Sequence, residues 1–152
     1  MLQRPQTLIL LVVFILSLFL LTGPIAVFTV DGLEYALRHA GVFNPEGEKL
    51  AMATWPLSVF FILVGVLAFL NIFFYRNRIR QMRMCVFLIL LFLGMIAIIF
   101  YYITFARNQL DDPQILHTWR VVIPPVAAIL TYLAFRRIRR DELLVKAFDR
   151  IR

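Results

Sequence analysis

The side chains best suited to chemistry are few: two histidines, His39 and His117, and a single cysteine, Cys85. Two imidazoles could ligate haem, or share a metal with Asp111 and Asp112. Their spacing matches no ligand motif, and both fall in segments too polar to lie inside a helix bundle. Cys85 stands beside Met84 at the end of an apolar run. A nucleophilic thiolate needs a base to activate it, and neither histidine lies on its side of the chain's apolar segments. No Ser-His-Asp set can be assembled, and no glycine-rich phosphate loop occurs. A lone cysteine also excludes an internal disulfide and a multi-cysteine metal or iron–sulfur site. These residues therefore imply a non-catalytic protein, not an enzyme, with no cofactor and no metal.

The elements that would position any site are dominated by apolar sequence. Of 152 residues, 62% are hydrophobic and 16% charged. A soluble domain is nearer half apolar and a quarter charged. A fold this small cannot hide such an excess from water, because its surface is large relative to its volume. Four apolar runs stand out, at residues 7–30, 55–75, 84–105 and 119–135. About 20 helical residues cross the ~30 Å hydrocarbon layer. Helices are expected because the runs are continuous, not alternating, and a helix satisfies its own backbone in lipid. The sequence thus predicts an all-α membrane protein with four transmembrane helices in one domain. The first helix is expected to be retained, not cleaved as a signal peptide, and bent at Gly23-Pro24. The fourth is expected to kink at Pro124-Pro125, with Arg120 snorkelling to the headgroups or pairing with Asp111 or Asp112.

Between these runs lie an outer loop, 31–54, an inner loop, 76–83, a second outer loop, 106–118, and a tail, 136–152. A small hairpin or one short helix is expected in the first. Orientation follows from the basic residues. Arg4, Arg76, Arg78, Arg80, Arg83, Arg136, Arg137, Arg139, Arg140, Lys146, Arg150 and Arg152 would share one side, against Arg38, Lys49, Arg107 and Arg120 on the other. The positive-inside rule puts the larger set, and both termini, in the cytoplasm. Trp55, Tyr101, Tyr102 and Trp119 would mark the outer interface and Tyr75 the inner one. The net charge of +7 would suggest nucleic acid in a soluble protein. Its clustering at the ends of apolar helices points instead to anionic lipid headgroups, so no nucleic-acid partner is expected.

Ion and proton pathways generally need ionisable groups within the bilayer. None lies in the central part of any apolar run. The deepest polar residues on the cytoplasmic side are Asn71 and Thr131, each about a turn from the end of its helix. Their equal depth predicts an interhelical hydrogen bond from Asn71, to Thr131 or to a carbonyl of helix three or four. Gly65, Ala68, Gly94, Ala97, Ala127 and Ala134 offer faces for close helix packing. In the tail, Leu144, Phe148 and Ile151 recur at i, i+4, i+7, which predicts an amphipathic helix with these three on its buried side. Its basic face would meet lipid or a partner, and Asp141, Glu142 and Asp149 would suit a partner bearing arginines.

Three stretches, MLQRPQTLILLVV at the start, RNRIRQMRMC in the inner loop and LAFRRIRRDELLVKAFDRIR at the end, carry a resemblance. Together they resemble a bacterial family of small four-span inner-membrane proteins known only as a domain of unknown function. The likeness covers the chain end to end and departs at Pro5. It implies a four-span topology and a bacterial inner-membrane location, and it supplies no activity. The reading that results is an accessory or structural subunit, or a scaffold, of a bacterial inner-membrane complex. It would be held by anionic lipids and by other membrane subunits. The alternative is a small oligomeric transporter or channel, with a path lined by Asn71, Thr131 and the carbonyls freed by Pro124-Pro125.

Overall fold

The computed structural model describes residues 5–48, 54–109 and 113–149. Among them are four α-helices: α1 (Pro5–Phe19), α2 (Trp55–Phe73), α3 (Arg78–Gln109) and α4 (Ile123–Asp149). Consecutive helices pack side by side and α4 returns to α1, so the four close into a ring. Three helices, α2, α3 and α4 with the 3₁₀ turn before it, are long and apolar enough to cross a membrane, while α1 is a shorter apolar helix. Only about a third of the apolar stretch of each long helix is buried within the chain. The remainder presents Leu, Ile, Val and Phe outward, including Leu63, Val66, Leu90, Leu93 and Ile129. Such faces are unfavourable in water and at home in hydrocarbon.

The architecture is not all-α. A four-stranded antiparallel sheet in the order β3-β2-β1-β4 caps one end of the bundle. Its strands are β1 (Ala26–Val30), β2 (Leu33–Arg38), β3 (Gly41–Phe43) and β4 (Gln114–His117). The first apolar run therefore does not continue as a bent helix to residue 30. It leaves the helix at Phe19. There Leu21 and Thr22 donate their amides to the carbonyls of Leu18 and Phe19, and the Thr22 hydroxyl also bonds to Phe19. These contacts tighten the last turn, and Pro24, with no N–H, cannot continue it. The chain then enters Val27-Phe28-Thr29-Val30, a run of β-branched and aromatic residues that suits a pleated strand better than a helix.

Val30 pairs with Leu33 around the two-residue turn Asp31-Gly32. Both turn residues have positive φ, 50° and 79°. This is the geometry that matches the twist of a hairpin and that Asp-Gly accommodates. The register places Ala26, Leu37 and Val42 in one cross-strand row and Phe28, Tyr35 and Ile115 in the next. Ala26, Phe28, Leu37 and Val42 are fully buried. They share one core with Leu20 at the end of α1, Leu57 and Phe61 of α2, Ile103 and Ala106 of α3, and Ile123 of α4. One face of the sheet thus seals the bundle, and β4 draws the α3–α4 connection into the same layer.

α4 also departs from expectation. Trp119–Val122 form a 3₁₀ turn and the α-helix begins at Ile123. Pro124 and Pro125 therefore lie in its first turn, where backbone donors have no intrahelical partner to lose, and they do not kink a span. Beyond them no proline or glycine interrupts the sequence, and the tail continues α4 as one helix through Asp149.

Candidate functional site

The end of the bundle opposite the sheet gathers the arginines. α2 finishes at Phe73, a 3₁₀ turn spans Phe74–Arg76, and α3 starts at Arg78. Side chains brace this reversal. Gln81, fully buried, donates Nε2 to the carbonyl of Asn71 at 3.4 Å, and Asn71 donates Nδ2 to Cys85 Sγ at 3.3 Å. The expected cross-bundle bond from Asn71 thus exists, but it joins α2 to the thiol of α3 and not to Thr131. Thr131 instead donates to Ala127 O of its own helix at 2.7 Å, so its hydroxyl is already satisfied. Asn71 and Thr131 are both fully buried and bond to different partners, with no hydrogen bond between them among the described residues. Asn71 Oδ1 and Gln81 Oε1 are buried with no hydrogen-bond partner among the described residues.

α3 and α4 run antiparallel, which brings Arg78, Arg80 and Arg83 beside Arg136, Arg137, Arg139 and Arg140. Arg78 Nη1 donates to the carbonyl of Asp141 at 3.1 Å and ties the two helices together. Arg80, Arg83 and the four arginines of α4 are exposed. Two grooves flank Arg139 and Leu143. One, of about 590 Å³, is lined by Leu133, Arg136, Arg137, Arg139, Arg140 and Leu143. The other, of about 380 Å³, lies between the helices and includes Arg83, Phe135, Arg139 and Glu142. Among the described residues the first contains arginines and no acid, whereas Glu142 places a carboxylate in the second. Arg150 lies outside the described residues, as do the side chains of Arg76, Lys146 and Phe148.

Of the three apolar residues expected on one side of the tail, Leu144 alone has a described side chain. Leu144 is 53% exposed and its neighbour Leu143 58%. The reason is geometric. Ala127, Thr131, Ala134 and Ile138 form the packed seam of α4 and are all fully buried. A straight helix carries that seam on to Asp141 and Glu142, which are half-buried. Leu143 points away from it. Ile151 lies outside the described residues.

At the sheet end, Arg120 pairs with no carboxylate among the described residues and does not reach outward alone. Its guanidinium stacks over Trp119, 5.1 Å from the ring centroid, and lies against Gly23. A methyl group at position 23 would sit 2.7 Å from the guanidinium carbon. Asp111 and Asp112 lie outside the described residues. The carbonyl of His39 accepts the hydroxyls of Ser58 at 2.7 Å and Thr54 at 3.3 Å, which pins the β2–β3 turn to the start of α2. Burial, and then the charge of Arg38, hold the His39 imidazole below its ordinary pKa, so it stays neutral. The side chain of His117 lies outside the described residues. Among the described residues no three of His, Cys, Asp or Glu gather as metal ligands would.

A profile for a domain of unknown function, DUF4293, matches residues 2–151, nearly the whole chain. The chain belongs to the DUF4293 family. No curated protein matches it, and no solved structure does. In this DUF4293 protein, then, the residues of interest are those its own geometry brings together.

Proposed function

We propose that this DUF4293 protein is a non-catalytic subunit or scaffold of a bacterial inner-membrane complex. It crosses the membrane four times with both termini cytoplasmic. The sheet faces outward, and the arginine end meets the anionic cytoplasmic leaflet and a neighbouring membrane subunit. The observation that carries this reading is the extension of α4. Beyond Asp141, which is tied to the first residue of α3, α4 continues for about two further turns. It carries exposed Leu143 and Leu144 among arginines. Two adjacent exposed leucines next to clustered arginines gain from being covered, and no part of the described chain covers them. The positive-inside rule supports the orientation, and α1 reaches across because its partners in the bundle supply the remaining depth.

Purification of the full chain in mild detergent, followed by identification of co-purifying membrane proteins, tests the subunit reading. A stoichiometric partner, lost when Leu143 and Leu144 are replaced by Ala, supports it. Purification of the chain alone, or of the same partners with both versions, sinks it. Reporter fusions at Arg152 and within residues 41–49 should report opposite compartments, and matching signals would defeat the four-span topology.

A further inference from the structure

The acid-free groove on α4 has a shape and a setting that identify its ligand. On the outward side of α4, opposite the seam of Ala127, Thr131, Ala134 and Ile138, run Val126, Ile129 and Leu133, all exposed. At 100° per residue this apolar stripe passes directly into Arg136, Arg137 and Arg140 on the same side of the helix. Leu133 closes the groove above these arginines and Leu143 closes it below. An apolar stripe that ends in clustered guanidinium groups complements one class of molecule: an acyl chain that ends in a phosphate. We propose that this groove binds an anionic phospholipid, with the phosphate held by Arg136, Arg137 and Arg140 and an acyl chain lying along Ile129 and Leu133.

Three arguments favour the lipid over free phosphate or a protein acid. The arginines lie at the end of a membrane-length apolar helix, the depth at which phospholipid phosphates sit. Guanidinium groups bind phosphate through paired donors, and several within one groove can share it. The stripe above supplies an apolar contact that a free anion cannot use. The neighbouring groove is the poorer phosphate site, because Glu142 opposes the charge there. Because the arginines are exposed and make no fold-stabilising contact to each other, replacing them leaves the bundle intact.

The inference rests on the membrane reading above but not on any protein partner. The test uses the full chain in mild detergent and native mass spectrometry, with phosphatidylglycerol, phosphatidylcholine or inorganic phosphate added. The expected result is retention of one phosphatidylglycerol, at least about tenfold above phosphatidylcholine. The R136Q/R137Q/R140Q variant should lose this preference, and R80Q/R83Q, which removes charge from the same end of the bundle, should keep it. Equal retention of phosphatidylcholine overturns the proposal. So does equal loss in both variants, which would mean diffuse attraction to a basic surface, or displacement of the lipid by inorganic phosphate at equal concentration. Co-purifying proteins are read in the same samples. Retention of the lipid by an unmodified chain that carries no co-purifying protein overturns the subunit reading and leaves the lipid site standing.

Discussion

The two ends of the bundle are closed by different physics. At the sheet end, backbone ladders join two connections far apart in sequence, and β1 pairs with β2 on one side and β4 on the other. The inward row of Ala26, Phe28, Leu37 and Val42 is fully buried against the helix ends. At the arginine end a tight turn suffices, braced by Gln81, Asn71 and Cys85. The charged and apolar groups beyond that turn are left outward. One end spends its side chains on its own fold, and the other presents them to its surroundings. Substitutions should therefore act on stability at the first end and on association at the second.

The largest effect is expected at the centre of the sheet. Phe28→Ala removes a fully buried ring between cross-strand neighbours Tyr35 and Ile115. It should lower unfolding free energy by about 3–5 kcal/mol, read by thermal or denaturant unfolding in detergent. A loss below about 1 kcal/mol would mean that the sheet is not part of the cooperative core. Next is the hairpin turn. Gly32 has φ +79° and open space where a Cβ would go, so Gly32→Ala meets backbone strain alone. That strain should amount to about 1–2 kcal/mol, and Gly32→Asn should recover part of it.

His39 gives the sheet end a pH dependence. Its pKa in the folded chain is depressed below 6.5, by burial first and by Arg38 second. Between the folded value and 6.5 the unfolded chain binds more protons, so stability rises with pH through that window. The stability is fully present above 6.5 and is lost as pH falls through the folded pKa. A His39→Gln variant should unfold with a flatter profile over the same range. An unchanged slope would assign the dependence to another group.

The arginine end was more legible in the sequence than the sheet end. Twelve basic residues at the ends of apolar runs mark a surface whatever the helix boundaries. Their division into an acid-free groove and one containing Glu142 needs the α3–α4 register, which no local pattern encodes. The sheet was hidden because hydrophobicity alone does not separate a buried strand from a helix. Val27-Phe28-Thr29-Val30 followed by Asp31-Gly32 is nonetheless a hairpin signal, and it outweighs the continuity of the apolar run before it. Pro124 likewise marks a helix start better than a kink, because the residues before it lead out of a polar connection. β4 was not readable. Gln114–His117 forms a strand only because β1 offers it an edge. Asn71 was rightly placed in the interior, but its partner depends on a 3₁₀ turn that shifts Cys85 into reach.

Asn71 gives a smaller effect, close to zero. Among the described residues its side chain bonds only to sulfur, a weak acceptor, and its buried Oδ1 has no partner. Asn71→Leu removes both the weak bond and the orphaned oxygen. The change in unfolding free energy should stay below about 1 kcal/mol in either direction, because replacing an imperfectly paired buried amide by an apolar group of similar size is close to neutral. A loss of several kcal/mol would show that the amide is paired in the protein through a group such as a bound water.

The smallest effect on stability should accompany the clearest effect on association. Leu143 and Leu144 are both more than half exposed and lie off the packed seam of α4. Truncating the pair to Ala removes little buried area, and Ala is a good helix former, so the helix keeps its propensity. The unfolding midpoint should move by no more than surface substitutions usually move it, about 0.5 kcal/mol. If the extension of α4 docks on a neighbouring subunit, the same change removes apolar contact from that interface, and co-purification should fall several-fold while the fold is untouched. Ile138→Ala, one and a half turns earlier but on the fully buried seam, should behave in the opposite way. It should cost about 2–5 kcal/mol by opening a cavity between α1 and α4. A stability loss as large for the leucine pair as for Ile138 would place the pair in this chain's own core and dissolve the distinction between the two ends. Unchanged stability together with unchanged co-purification would sink the subunit reading.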